Sequence, residues 1–259
     1  MIAATLGGGR DGGLMPVTDG TGQRAQDEAS IEARLPPLLS VIAGMVDLTG
    51  FFTLGNVFTA HITGNLVLVS AALVRGGPIN LAQALAIPVF VLAVASAWFV
   101  ALLSRRTGPS LAQPLLWVQF LLLATVLIFN VVTKPSADPH GLMAGIAVMI
   151  AVSAMAYQYA LFRLAIPGAI STAVMTGNLT NTVLSLMDAL SPARPLLKAD
   201  TDRLKRSLRL LFGFLLGCIL GAVAISLDRD WAWLLPVLLA GVAVFMESGA
   251  HRFGARSSH

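Results

Sequence analysis

Charged residues are scarce in this chain of 259 residues: they make up 12% of it, whereas apolar residues make up 56%. Soluble domains carry about 25% charged residues, so this scarcity excludes an ordinary soluble protein. The mean hydropathy of +0.79 points the same way. Cysteine is scarcer still, and the lone Cys218 excludes a disulfide framework within the chain. The composition therefore predicts an integral membrane protein.

Catalytic and metal-binding signatures are also missing. The sequence has no H-E-x-x-H, no G-x-S-x-G, no P-loop and no cluster of cysteine and histidine. We therefore expect no enzyme activity, no cofactor and no metal site, with an intramembrane enzyme as the lesser alternative. The net charge of +4 does not indicate a nucleic-acid partner, because the basic residues lie in the gaps between apolar segments, as membrane topology requires.

What the sequence does contain is a series of apolar segments separated by short charged or Pro/Gly stretches. Because a spanning helix needs roughly 20 mostly apolar residues, the segments predict an all-α polytopic membrane protein with six to eight transmembrane segments. The helical membrane domain covers residues 35–250. We expect a disordered cytoplasmic tail at 1–34 and a cytoplasmic C-terminal tail at 251–259. The apolar segments are residues 36–54, 59–74, 84–103, 115–132, 141–161, 172–190, 208–227 and 231–245.

One eight-residue word occurs twice, at residues 59–66 and 172–179, with six of its eight positions identical. Each copy contains Thr-Gly-Asn inside an apolar segment. Polar residues are costly to bury in a membrane, so their recurrence at a fixed offset predicts two pseudo-symmetric halves, about 35–133 and 141–248. Chance recurrence of small residues that are common in membrane helices is the alternative.

The basic residues predict both termini in the cytoplasm but leave the number of crossings open. If all eight segments cross, 13 of the 17 Lys and Arg residues are cytoplasmic; if the two Thr-Gly-Asn segments are re-entrant, 14 are. The first arrangement gives parallel repeats and the second gives inverted repeats. The charge distribution does not choose between them.

Asp47 is an acid well inside an apolar segment, where an ionised carboxylate costs roughly 2.5–3.5 kcal/mol on insertion scales. One hypothesis is that it couples transport to protons or cations. The other is a structural aspartate that is protonated or bonded to an amide side chain, and the candidate amides are those of Asn56, Asn65, Gln158 and Asn178. His61, whose counterpart in the second word is Val174, is either a proton carrier or a hydrogen-bonding helix residue.

The two Thr-Gly-Asn words are predicted to line one polar pathway for a solute or ion. The asparagines are expected to be ligands and the glycines helix breaks, since glycine adopts positive φ readily. The alternative is that these residues only hold helices together in lipid. The full set of expected pathway residues is Asp47, His61, Thr63, Gly64, Asn65, Gln158, Thr176, Gly177, Asn178 and Asn181.

Gly213, Gly217 and Gly221 form two overlapping G-x-x-x-G steps in the seventh segment. Glycines four residues apart lie on one helix face and allow another backbone to approach closely. This spacing predicts helix packing. The partner helix belongs either to the same chain or to a second copy.

Three short stretches carry a resemblance to a known family: residues 44–47 (Gly-Met-Val-Asp), 61–65 (His-Ile-Thr-Gly-Asn) and 175–178 (Met-Thr-Gly-Asn). From about Leu38 to the C-terminal region, the chain resembles the YoaK family of bacterial multi-pass membrane proteins, a family of unknown function. It departs at Ile62, where methionine is expected. The resemblance implies a transport-like helical fold in the bacterial cytoplasmic membrane and supplies no substrate.

These observations favour a secondary transporter or permease for a small solute or ion, with proton coupling as an added hypothesis. The alternative is a non-transporting membrane scaffold or partner subunit. The expected partners are the lipid bilayer and a small solute or ion, and a homo-oligomer is a further hypothesis.

Overall fold

The computed structural model describes residues 20–105, 111–166, 175–190 and 201–256, and in these ranges the regular elements are helices. A short 3-10 helix, Pro135–Ala137, follows the fourth α-helix. The α-helices are α1 (Gly20–Thr53), α2 (Ile62–Arg75), α3 (Leu81–Ser104), α4 (Ala112–Thr133), α5 (Leu142–Leu164), α6 (Met175–Leu190), α7 (Thr201–Leu227) and α8 (Leu234–Arg256).

The eight helices of the described ranges correspond one to one with the eight apolar segments, but α1, α7 and α8 extend beyond them, and α7 already begins at Thr201. Helix α1 begins at Gly20, so residues 20–34 are helical where the sequence predicted a tail, and Pro36 and Pro37 lie inside it. Residues 21–34 are rich in Ala, Glu, Gln and Arg, which favour helix. The rest of the predicted N-terminal tail, 1–19, lies outside the described residues. At the other end, α8 continues to Arg256.

Five helical segments are long and apolar enough to cross a membrane: Arg34–Thr53, Leu81–Ser104, Ala112–Thr133, Leu142–Leu164 and Leu204–Leu227. Two shorter apolar helices, Ile62–Arg75 and Leu234–Gly249, accompany them. Large apolar side chains such as Val74, Leu92 and Phe245 are exposed, which suits contact with lipid chains. The protein is therefore an all-helical polytopic membrane protein.

Helices α1 and α5 form the interior of the bundle. In their most apolar stretches 61% and 72% of the residues are buried, compared with 22% in α3 and in α7. Helix α5 packs against α3 and α4, and α1 packs against α7 and α8. Helices α4 and α8 also contact each other, while α2 packs on α3 and α6 packs on α7.

The contact between α1 and α7 is made through glycines. A Cβ at Gly217 would collide with the backbone carbonyl of Val41, and one at Gly213 would lie 2.9 Å from the carbonyl oxygen of Pro37. Gly44 of α1 meets the carbonyl of Phe214 in the same way. The G-x-x-x-G face of α7 thus packs on a helix of the same chain, and a Cβ at the third glycine of the motif, Gly221, would lie 3.3 Å from the backbone of Met45.

Gly217→Ala is expected to destabilise the protein by about 1–3 kcal/mol, because its methyl group would enter the α1 backbone and force the helices apart. Gly145→Ala in α5 is the matched control, since a Cβ there meets nothing within 4 Å. Thermal unfolding in detergent should give a lower Tm for Gly217→Ala and an unchanged or higher Tm for Gly145→Ala. Equal Tm values would mean that the α1–α7 contact tolerates the extra methyl group.

Candidate functional site

The chain breaks directly after α1 and folds back along it. Gly55 and Asn56 both have a left-handed backbone, with φ of 79° and 59°. The first turn of α3 holds this break in place: the Asn80 side chain donates to the carbonyl of Gly55 at 2.7 Å, and the Gln83 side chain donates to that of Asn56 at 3.0 Å. A Cβ at Gly55 would also strike the carbonyl of Pro139. Glycine is therefore required at this turn.

The returning chain passes the carboxylate of Asp47, which lies six residues before the end of α1. Asp47 Oδ1 accepts hydrogen bonds from the backbone N–H groups of Thr59 and Ala60 at 2.8 Å and of His61 at 3.3 Å. Thr59, Ala60 and His61 precede the first residue of α2, so their N–H groups have no helical partner, and a carboxylate near this helix start also interacts favourably with the helix dipole. Asp47, which is only 5% exposed, thus anchors the start of α2.

The second oxygen of the same carboxylate faces an imidazole. Asp47 Oδ2 lies 2.7 Å from His61 Nδ1, and the His61 side chain is 34% exposed, whereas that of Asp47 is 7% exposed. His61 also packs edge-on against Phe214 of α7, with ring centroids 5.1 Å apart. The imidazole therefore connects a buried carboxylate with the protein surface.

Asn65 fastens the same turn from the α2 side. Its side-chain oxygen accepts from the backbone N–H of Phe58 at 2.8 Å, and its side-chain nitrogen donates to the carbonyl of Phe58 at 2.7 Å. Both ends of the amide are thus engaged with one residue of the turn. Asn65 is fully buried, and a Cβ at neighbouring Gly64 would lie 2.9 Å from the Phe58 ring.

A buried tyrosine and two buried hydroxyl groups complete the surroundings. Tyr159 of α5 donates its hydroxyl to the carbonyl of Ala60 at 2.9 Å. The hydroxyls of Thr49 and Thr59 are fully buried and have no hydrogen-bond partner among the described residues. Such groups normally bond to protein or to ordered water. Tyr159 was not among the expected site residues, because nothing in the sequence shows that α5 reaches this turn.

Gln158 does not bond to Asp47 and has other partners. It accepts a hydrogen bond from Gln119 of α4 at 2.7 Å and donates one to the carbonyl of Leu39 at 2.9 Å. All of these groups are buried. The amide of Gln158 therefore ties α5 to α1 and α4.

The second Thr-Gly-Asn word lies at the start of the described part of α6. Its asparagine, Asn178, is 3% exposed, Gly177 and Asn181 are half-buried, and Thr176 is exposed. The first word has the same pattern, with Asn65 buried and Thr63 exposed. The residues just before this word, 167–174, lie outside the described ranges.

Three expectations need correction. Gly64 and Gly177 do not break helices, since Gly64 lies in the first turn of α2 and Gly177 lies within the described part of α6; the break after α1 is instead at Gly55 and Asn56. The amides of Asn65 and Gln158 are not the partners of Asp47, because the backbone N–H groups of residues 59–61 and the His61 ring bind it. The two words are not joined by extensive packing in the described ranges, as α2 packs on α3 and α6 on α7.

The fold and this site define the class as a polytopic α-helical membrane protein. The chain belongs to the family described as "Protein of unknown function (DUF1275)", which matches residues 35–246. A relative, the UPF0700 transmembrane protein YoaK of Bacillus subtilis (strain 168), is 47% identical over 45 residues, a segment that covers 17% of this chain and 20% of that protein. The resemblance seen in the sequence is thereby confirmed. No solved structure matches the chain.

Asn65→Ala is expected to lower the Tm in detergent, because it leaves the N–H and the carbonyl of Phe58 without these partners. A polar group that is buried without a partner costs about 1–3 kcal/mol of stability. The neighbouring exposed Thr63→Ala is the control and should leave the Tm nearly unchanged. A normal Tm for Asn65→Ala would contradict the structural role of this amide.

Proposed function

We propose that this protein is a secondary transporter or permease for a small solute or ion, that it is proton-coupled, and that it acts without enzymatic chemistry in the bacterial cytoplasmic membrane. The observation that carries the proposal is the Asp47–His61 pair: a buried carboxylate 2.7 Å from a partly exposed imidazole, at a break between membrane helices. Ionisable groups within membrane segments are costly and commonly mark ion or proton pathways. A proton taken up at His61 can pass to Asp47 along this hydrogen bond.

The path of the chain around α2 supports a re-entrant hairpin rather than a complete crossing. Helix α2 starts beside Asp47, which lies about 9 Å before the C-terminal end of α1, and α2 is about 21 Å long. Asn80, the residue before α3, is bonded to Gly55, two residues after the end of α1. A linker of five residues reaches at most about 18 Å, so it could not return from a helix that pointed away from Gly55. Helix α2 therefore leads back towards the side on which α1 ends.

Two further hydrogen bonds support six crossings. The Ser136 hydroxyl, in the link between α4 and α5, donates to Asp230 between α7 and α8 at 2.6 Å. Gln113, at the start of α4, donates to Ser248 near the end of α8 at 3.2 Å. With eight crossings each bond would join residues on opposite sides of the membrane, whereas with six crossings each joins residues on the same side.

The packing pattern supports two related halves with three crossings each. If α1 to α4 are matched with α5 to α8, the contact of α2 with α3 corresponds to that of α6 with α7. Likewise the α3–α5 contact corresponds to α7–α1, and the α4–α5 contact to α8–α1. Helices α4 and α8, which correspond to each other, are in mutual contact. Three crossings per half imply inverted repeats, an arrangement found in many secondary transporters.

The proposed orientation places both termini in the cytoplasm and the hairpin on the outer side. It puts 14 of the 17 basic residues inside and leaves Arg75, Lys134 and Arg229 outside.

A scaffold or partner subunit is the second candidate, because several polar groups of the interior are engaged only with other helices. The buried link from Gln119 through Gln158 to Leu39 joins three helices. Asn65 is likewise occupied by the backbone of Phe58. These contacts need no solute to satisfy them.

The topology is testable by cysteine labelling in a Cys218→Ser background. Gly77→Cys and Arg229→Cys should both react with a membrane-impermeant maleimide from outside intact cells that expose the outer face, whereas Arg105→Cys should react only after permeabilisation. All three positions are exposed. Labelling of Gly77→Cys only after permeabilisation would instead support eight crossings, since it would place the end of α2 on the cytoplasmic side.

Transport is testable in proteoliposomes that enclose a pH-sensitive dye and are offered a panel of small organic and inorganic solutes. We expect solute-dependent proton entry that Asp47→Asn abolishes and His61→Gln reduces strongly, because each removes one member of the proton pathway. Asp228→Asn, which alters an exposed acid between α7 and α8, is the matched control and should retain the flux.

Two outcomes of this assay would contradict the proposal in different ways. Solute uptake that is equal in the wild type and in Asp47→Asn at every pH would remove proton coupling while leaving permeation. If the folded wild type moves no solute of the panel, the scaffold function becomes the favoured one.

A further inference from the structure

A cleft of about 980 Å³ lies between the first turns of α3 and α5, with α4 behind it. It is separate from the Asp47–His61 pair. Its walls are formed mainly by apolar side chains of these three helices, among them Leu81, Leu85, Leu122, Ile146, Met149 and Ile150.

The cleft is amphipathic along its length. Asn80, His140 and Gly141 lie at one end, before the first turns of α3 and α5. From Leu142 to Ser153 the cleft follows α5 over about 16 Å, which is half the thickness of a bilayer core. Apart from Ser153, whose hydroxyl donates to the carbonyl of Met149, its polar groups lie at the helix starts, at the expected depth of lipid headgroups, and its apolar walls extend into the membrane.

The walls are also open to the surroundings of the bundle. Leu81 is 68% exposed and Leu142 is 75% exposed, and both belong to helices long and apolar enough to cross the membrane. An apolar cleft that opens sideways in a bilayer is accessible to lipid chains and is a poor environment for water. The membrane itself therefore supplies molecules of the matching chemistry.

We propose that this cleft binds one phospholipid of the outer leaflet, with an acyl chain along α5 and the headgroup at His140 and Asn80. The proposal rests on the membrane placement of α3 and α5 and is independent of transport; the choice of leaflet follows from the topology proposed above. Asp138, whose carboxylate lies against Gly141, disfavours a strongly anionic headgroup at this end. A zwitterionic lipid fits better.

The lipid would also support the break after α1. Asn80 lines the cleft and donates to the carbonyl of Gly55, and the Pro139 carbonyl, next to His140, packs against the same glycine. The start of α3 and the start of α5 thus form one wall of the cleft and also hold the turn that leads to Asp47. Filling the cleft stabilises this wall.

Photolabelling tests the proposal with the full chain in zwitterionic phospholipid vesicles that contain a small fraction of the same lipid with a diazirine in its acyl chain. After irradiation, mass spectrometry locates the labelled residues. Label should concentrate on Leu122, Met149 and Ile150, above the level on exposed apolar residues elsewhere.

Gly145→Phe should abolish this labelling, because Gly145 lines the cleft and has open space where a side chain would begin. Ile146→Trp fills the same space from the next residue, and it replaces Gly145→Phe in the test if that variant does not fold. Gly145→Ala leaves most of the cleft open, and Leu216→Phe adds the same ring to an exposed position of α7; both should retain the label. Label on α7 should persist in every folded variant.

Two results would overturn the proposal. The first is label that is spread evenly over the exposed apolar residues, or label that is unchanged in the folded Gly145→Phe and Ile146→Trp variants. Either pattern indicates contact with bulk lipid alone. The other is crosslinking of cleft residues to a second copy of the chain, which indicates a protein–protein contact. Neither result bears on solute flux, so a failure here is distinguishable from a failure of the transport proposal.

Discussion

The carboxylate of Asp47 is the group on which the break after α1 depends. A chain that leaves helical geometry inside a membrane exposes N–H groups that neither water nor lipid can satisfy there. One oxygen of Asp47 accepts three of them, from residues 59–61, and the other oxygen faces His61. A buried carboxylate and buried N–H groups are each costly when they have no partner. Here they bond to each other, so both are tolerated in the bundle interior.

The bundle around this break is built for close approach. Glycines on α7 and on α1 bring the two backbones into contact, so that Phe214 of α7 reaches the His61 ring. From the opposite direction Tyr159 of α5 bonds to Ala60. The turn is therefore held by the two helices that pack on either side of it. This explains how an irregular segment is retained in an otherwise helical membrane protein.

The turn after α1 also connects the Asp47–His61 pair with the start of α3. Asn80 belongs both to the apolar cleft between α3 and α5 and to the support of Gly55. The same turn leads within six residues to the Asp47–His61 pair. One hydrogen-bonded turn therefore connects the lipid-facing side of the protein with its buried acid.

The sequence by itself determined the class of protein, the eight helical segments and the membership of a family, because long apolar segments are sufficient to specify helices in lipid. It also indicated Asp47, His61 and the glycines of α7 as unusual. The tertiary structure decided what these residues contact. Asp47 meets N–H groups that lie 12 to 14 residues later in the chain, and Tyr159 meets a carbonyl 99 residues away. Such pairings depend on how the helices pack and on where the turn folds back, and no local sequence pattern encodes either.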